Sequence, residues 1–192
     1  MLREQLKSAI LIFIMLTVIT GVLYPLFVTE IAQTFFYAKA NGSLIYRDKN
    51  VIGSVLIGQP FDDPRYLWGR LSATLPIPYN SAFSSGSNIG PSNPALLETA
   101  KSRVEKLHAA DPRNKIPIPV DLVTSSASGL DPHISLAAAY YQISRIARKR
   151  GLSLYIVKSI VDRNAEGRLF GLIGEPVVNV LRVNMDLDSY KK

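Results

Sequence analysis

The chain has 192 residues, a formal charge of +7 and no cysteine. Its length suffices for one domain with a real core once a membrane segment is set aside. The lack of cysteine excludes disulfides, thiolate nucleophiles and cysteine-ligated zinc, and the scattered basic excess reads as a solvated surface rather than a nucleic-acid patch.

Residues 8–29, SAILIFIMLTVITGVLYPLFVT, carry no charge over 22 positions. About 20 apolar residues at about 1.5 Å rise each cross the roughly 30 Å core of a bilayer. Arg3 and Lys7 precede the run and Glu30 follows it. The positive-inside rule then puts the N-terminus in the cytoplasm and the remainder outside, with the plasma (inner) membrane as the expected location. The expected organisation is a segment 1–30 holding a single transmembrane helix and a soluble extracytoplasmic domain 31–192. A cleaved signal peptide, with Ala38-Lys39-Ala40 as its site, is the rival reading, but signal cores run about 7–15 residues and this one is longer. Pro25 falls in the last turns of the helix, where a freed carbonyl asks for neighbouring helices. Gly21, Tyr24 and Pro25 are the expected packing positions, with a kinked isolated anchor as the alternative.

Beyond the helix, Asn41-Gly42 signals a turn. Residues 44–47 and 51–57 read as strands around Asp48-Lys49-Asn50, with Gly53 marking a bulge or close backbone approach. Residues 61–81 hold several prolines and are irregular, and Tyr66-Leu67-Trp68 within them is expected to pack onto the core, with a docking surface as the alternative. Residues 84–94, SSGSNIGPSNP, are almost all turn formers. Asn93-Pro94 then opens a helix with Leu97, Ala100, Val104 and Leu107 as its apolar stripe, ended by Asp111-Pro112. Residues 120–124 predict a short strand or single turn. Asp131-Pro132 repeats the cap-plus-proline signal and predicts a helix over 132–150 that stops at Gly151. Arg145, Arg148, Lys149 and Arg150 suit the negative end of that helix. Ser153 caps a further helix through about Arg163, residues 170–175 form a loop, and the alternation over 177–184 predicts a central strand. The fold class is α+β: one N-terminal transmembrane helix, then a single mixed α/β domain.

Chemistry-bearing residues are sparse. His108 and His133 lie apart without acidic clusters, so no metal site is expected. No Gly-x-Ser-x-Gly elbow supports a serine nucleophile, and Asp62-Asp63 read as turn residues. No catalytic residue can be assigned. Two small-residue loops precede capped helices, where backbone N–H groups can meet an anion. The loop 84–93 lacks a P-loop's Gly-Lys-Ser/Thr ending, and the loop 125–131 places Asp131 where it opposes a second anion.

Several motifs in order resemble the KdpC family, the accessory subunit of the Kdp potassium-transporting P-type ATPase. They are Tyr24-Pro25, then GSVLIGQ from Gly53, then YLWGRLSA from Tyr66, then SGSNIGPSNP from Ser85, then DLVTSSASGLDPHIS from Asp121, and finally GEPVVNVL from Gly174. Members often carry Arg-Pro-Ser-Ala where Arg70-Leu71-Ser72-Ala73 stands, and Gly-Gly-Ser-Asn where Ser85-Gly86-Ser87-Asn88 stands. The resemblance implies a non-catalytic single-pass subunit that supports ATP-driven, high-affinity potassium uptake. Its implied partners are a potassium-channel-like subunit and an ATP-hydrolysing P-type subunit, together with the membrane and no nucleic acid. It implies no cofactor of its own. The family is also described as a catalytic chaperone raising the hydrolysing subunit's ATP affinity, with nucleotide contacts that fall on Ser85, Gly86, Ser87, Asn88 and Gly90. An outward-facing domain conflicts with that role, because ATP is cytoplasmic. A membrane-anchored extracytoplasmic enzyme or solute-binding module, and a cytoplasmic nucleotide-binding regulator of reversed topology, are the other readings.

Overall fold

Where no water is at hand, a backbone must satisfy its polar groups within its own segment, and an apolar run does so as a helix. The computed structural model describes residues Leu2–Tyr190. Helix α1 (Leu2–Val18) and helix α2 (Tyr24–Phe35) are joined by a π-helical turn, Ile19–Leu23. Together they form one 34-residue helix, Leu2–Phe35, long and apolar enough to cross a membrane. At about 1.5 Å per residue it is about 51 Å long, well beyond the span expected from residues 8–29. The wide turn has a local cause. Pro25 has no N–H and its ring crowds the carbonyl one turn back. The Tyr24 N–H, just ahead of it, reaches to the Ile19 carbonyl, a π-type bond. The single turn α3 (Tyr37–Ala40) follows, and the first compact unit of the chain ends at Leu44.

The second unit runs from Ile45 onward. Strands β1 (Leu44–Arg47) and β2 (Asn50–Ser54) make a hairpin. Asp48 and Lys49 turn it with positive φ of 50° and 68°, as a two-residue hairpin turn requires. Strand β2 stops at Ser54, short of the expected Ile57. Close approach at Gly53 is real: a β-carbon there would lie 2.4 Å from the Gln59 amide.

Helix α4 (Pro94–Ala110) starts where expected, the Asn93 side chain accepting from the Ala95 N–H. Its stripe differs from the expected one. Leu97 is 58% exposed, while Arg103 is buried beside Leu107. A single 3₁₀ turn, Val120–Leu122, precedes β3 (His133–Ser135) and α5 (Leu136–Arg150). The helix expected from Pro132 thus begins only at Leu136. Residues 133–135 pair with another strand, and Ser135 is the cap, its hydroxyl accepting from the Ala138 N–H at 3.0 Å. Asp131 caps the His133 N–H instead, at 2.9 Å. The stop at Gly151 stands, with φ of 64°.

Helix α6 (Leu154–Arg163) is capped by Ser153 as expected, and strands β4 (Ala165–Glu166) and β5 (Val177–Asn179) follow. The chain closes with α7 (Val180–Ser189), where a longer strand was expected. Asn179 makes the switch: its side chain accepts from the Arg182 N–H at 3.1 Å and starts a helix. The antiparallel sheet has the order β3-β5-β4, with Val178 opposite both Ile134 and Ala165, so β5 is central.

The core gathers Ile134, Ile146, Val157, Val161, Val178, Val183 and Leu187 around Leu67 and Trp68. Those last two belong to irregular chain, which seldom enters a core because its backbone groups need partners. Side chains supply them. Asn184 accepts from the Leu67 N–H at 2.7 Å and donates to the Leu67 carbonyl at 3.0 Å. Gln142 does the same for Trp68, at 2.9 and 3.1 Å. Arg145 donates to the Pro64 and Tyr66 carbonyls, and its guanidinium lies 4.4 Å from the Trp68 ring centre. Burial lowers the Arg145 pKa to about 10. The basic end of α5 therefore does more than meet a helix dipole. Arg150 also donates to the carbonyls of Arg65 and Leu187 and pairs with Asp188.

Asn184→Ala should destabilise the domain by roughly 2–4 kcal/mol, since it strands a buried N–H and a buried carbonyl at once. Urea unfolding of the chain in detergent measures this, and Asn184→Asp should recover only the half of the loss that an acceptor can restore.

Candidate functional site

The motif Gly69-Arg70-Leu71-Ser72 leaves the core along the loop 125–131 and ties it down residue by residue. The Ser126 N–H donates to the Leu71 carbonyl at 3.2 Å. Arg70 donates through one Nη to the Ser125 carbonyl at 3.0 Å and through the other to the Asp131 carboxylate at 3.2 Å. The Ser72 hydroxyl donates to the Gly129 carbonyl at 2.7 Å and accepts from the Tyr79 N–H at 2.9 Å. Tyr79 itself, at a positive φ of 57°, donates its phenol to the Arg70 carbonyl at 2.6 Å. Burial pushes the Tyr79 phenol up to about 12, with the Asp131 charge adding to the rise. Its ring occupies space that only glycine leaves. A β-carbon at Gly58 would lie 2.4 Å from the ring, and one at Gly69 would lie 2.9 Å from the hydroxyl.

Burial alone would raise the Asp131 pKa, but hydrogen bonds from His133 and Arg70 outweigh it and hold the carboxylate below its ordinary value. The expected position of Asp131 at a helix start is thus replaced by a junction between Arg70 and β3.

The loop 84–93 lies against the same partner loop. The Ser85 N–H and the Ser84 hydroxyl both donate to the Ser128 carbonyl, at 3.0 and 3.1 Å. The Ser85 hydroxyl donates to the Gly86 carbonyl. Gly86 sits so close that a β-carbon would lie 2.8 Å from the Ala127 carbonyl oxygen. At the far end the Gly90 carbonyl accepts from the Asn93 N–H. The crest between these pins, Ser87 and Asn88, is exposed, and Asn88 holds a positive φ of 49°. Two of the five candidate nucleotide residues, Ser85 and Gly86, are therefore committed to the loop–loop contact, while Ser87 and Asn88 face outward.

Beside this frame lies a cavity of about 510 Å³, lined by Phe61, Asp62, Arg70, Ser72, Tyr79 and Arg103 among others, and by none of residues 85–90. Arg103 spans its floor, donating to the carbonyls of Leu122 and Gly69 at 3.0 and 2.9 Å. Tyr79 and Arg103 had no signal in the sequence: one follows a proline pair in irregular chain, and the other interrupts an apolar stripe. In the other unit, Gly21, Tyr24 and Pro25 lie together at the π-turn. Tyr24 is exposed, and nothing lies within 4 Å of a β-carbon built at Gly21. Among the described residues no three histidine or acidic side chains converge as metal ligands would.

A family model described as the K+-transporting ATPase, c chain, matches residues 6–189. The potassium-transporting ATPase KdpC subunit of Methylococcus capsulatus is 60% identical over 188 residues, covering 98% of this chain and 99% of that one. Those of Dechloromonas aromatica and Herpetosiphon aurantiacus are 56% and 55% identical, covering 100% and 99% of this chain and 100% and 98% of their own lengths.

Because the folded Asp131 pKa lies below its unfolded value of about 3.9, the stability it contributes is full above that pH and is lost as pH falls through the folded value. Asp131→Asn should lower the melting temperature at neutral pH and flatten the acid limb below about pH 4 relative to the parent chain. Thermal unfolding across that range checks both effects, and parallel acid limbs would mean that the junction contributes nothing.

Proposed function

The chain belongs to the KdpC family, the c chain of K+-transporting ATPases, and from that premise we propose that it is a non-catalytic accessory subunit supporting assembly of an ATP-driven, high-affinity potassium uptake complex. Its partners in this reading are a channel-like subunit and an ATP-hydrolysing P-type subunit. Its N-terminus lies in the cytoplasm and the domain from Ile45 lies outside the cell. The observation that carries the reading is the helix Leu2–Phe35, none of whose side chains is buried within the chain. A glycine beside a proline-induced π-turn leaves a bare strip of backbone, which lets another helix approach closely. Within the domain, Arg70, Ser72, Tyr79 and Asp131 spend their hydrogen bonds on one another's loops. That suits a rigid spacer between larger subunits better than a reacting centre.

A second reading, the catalytic chaperone, is favoured by one observation. Ser87 and Asn88 stand exposed at the crest of the loop, Asn88 in the left-handed backbone that asparagine adopts readily. In that reading Ser87 and Asn88 would meet nucleotide, with Ser85, Gly86 and Gly90 shaping the loop. It requires the domain to face the cytoplasm.

Gly21→Leu should insert normally but reduce the partner subunits recovered with the chain by several-fold, while Leu11→Ala in α1 should not. Detergent co-purification measures this, and equal recovery of partners with both variants would sink the helix-packing role. Protease added to intact spheroplasts should digest the domain; protection would reverse the topology and restore the nucleotide reading.

A further inference from the structure

Between β4 and β5 the chain projects a small hairpin whose outside is apolar. Leu169, Phe170, Leu172 and Ile173 are 60%, 85%, 82% and 65% exposed, and Gly171 stands between them. Every residue from 169 to 173 therefore lacks a polar side chain, and the tip has no polar reverse side. Most of its backbone N–H groups are nevertheless bonded within it. Leu169 and Ile173 exchange N–H to carbonyl bonds at 2.8 and 3.0 Å, the Gly171 N–H donates to the Arg168 carbonyl at 3.0 Å, and the Leu172 N–H donates to the Leu169 carbonyl at 3.1 Å. The turn is made by Phe170 and Gly171, with positive φ of 53° and 73°. Charge enters only at the base, where Arg168 holds both oxygens of Glu175 at 2.9 Å.

We propose that this hairpin is a lipid-inserting finger, whose tip enters the interfacial region of the bilayer on the domain's side while the Arg168–Glu175 pair stays among the headgroups. Three features favour lipid over a protein socket. A docking surface presents one apolar face backed by polar residues, whereas this tip is apolar throughout, as immersion in a fluid medium requires. Backbone groups that leave water need partners: four of the five tip N–H groups have them within the hairpin, while the Phe170, Gly171 and Leu172 carbonyls, with none there, hold the tip at the hydrated interface and out of the hydrocarbon centre. The domain is also covalently held at a membrane, since only residues 36–44 separate Ile45 from the end of α2. The finger goes beyond the accessory role and needs only the membrane anchor, so it stands whether or not that role does.

The chain has no cysteine, which allows single-site labelling. The full chain, carrying Phe170→Cys or Leu172→Cys and an environment-sensitive fluorophore, is reconstituted in phosphatidylcholine vesicles. Lys101→Cys on exposed α4 is the comparison. Emission at 170 and 172 should shift to the blue and lose intensity to lipids bearing a quencher on their acyl chains, with no change at 101. Water-like emission at both positions would overturn the proposal. Blue-shifted emission insensitive to the lipid quencher would also overturn it, assigning the tip to a protein socket. Two label positions guard against the loss of either side chain altering insertion, and neither bears on recovery of partner subunits.

Discussion

Irregular chain occupies the centre of this domain, and that is possible only because side chains stand in for a missing strand. Asn184 from α7 and Gln142 from α5 each bind both backbone groups of one residue, Leu67 and Trp68 in turn. Arg145 takes the carbonyls on the N-terminal side, and Arg103 takes that of Gly69 beyond. The arrangement fixes the position of α4, α5 and α7 on one segment. A buried amide that makes both its bonds is stable, and one that makes half of them is costly. The packing of the helices and the path of residues 64–69 are therefore a single solution.

The path out of the core then sets the site. Once Gly69 is anchored, Arg70 and Ser72 meet the loop 125–131, Tyr79 folds back over Gly58 and Gly69, and the Ser84–Ser85 end of the next loop closes on Ser128. Glycines at 58, 69, 86 and 129 are spatial requirements here: a β-carbon at each would meet another atom at 2.4 to 2.9 Å. The same loops that resemble an anion cradle in sequence are, for the most part, occupied with one another. What they present outward is the short crest at Ser87 and Asn88.

The membrane unit follows a different logic. Its helix is apolar on all sides, so composition alone calls for a surrounding of lipid or other helices. The π-turn before Pro25 and the open space at Gly21 are its one irregular place. Such a helix fits a membrane ATPase subunit, the family to which the chain belongs.

Much was legible in the residues alone. The apolar run, the caps at Asn93 and Ser153, the Gly151 stop, the α+β class and the family resemblance all rest on local rules or on motif order, which need no tertiary partner. Leu67 and Trp68 were readable as core because large apolar groups seldom stay in water. Two of the differences share one cause. Residues 133–135 form a strand and not a helix, and residues 180–184 a helix and not a strand, because a short β ladder and a side-chain cap at Asn179 outweigh the local pattern. Arg103 and Arg145 are buried because carbonyls 34 and about 80 residues away in sequence receive them. The sequence by itself determined where the chain meets a membrane and which family it joins. Only the tertiary structure decided how the loops are used, because a hydrogen bond between distant residues leaves no periodic trace in either partner's neighbourhood.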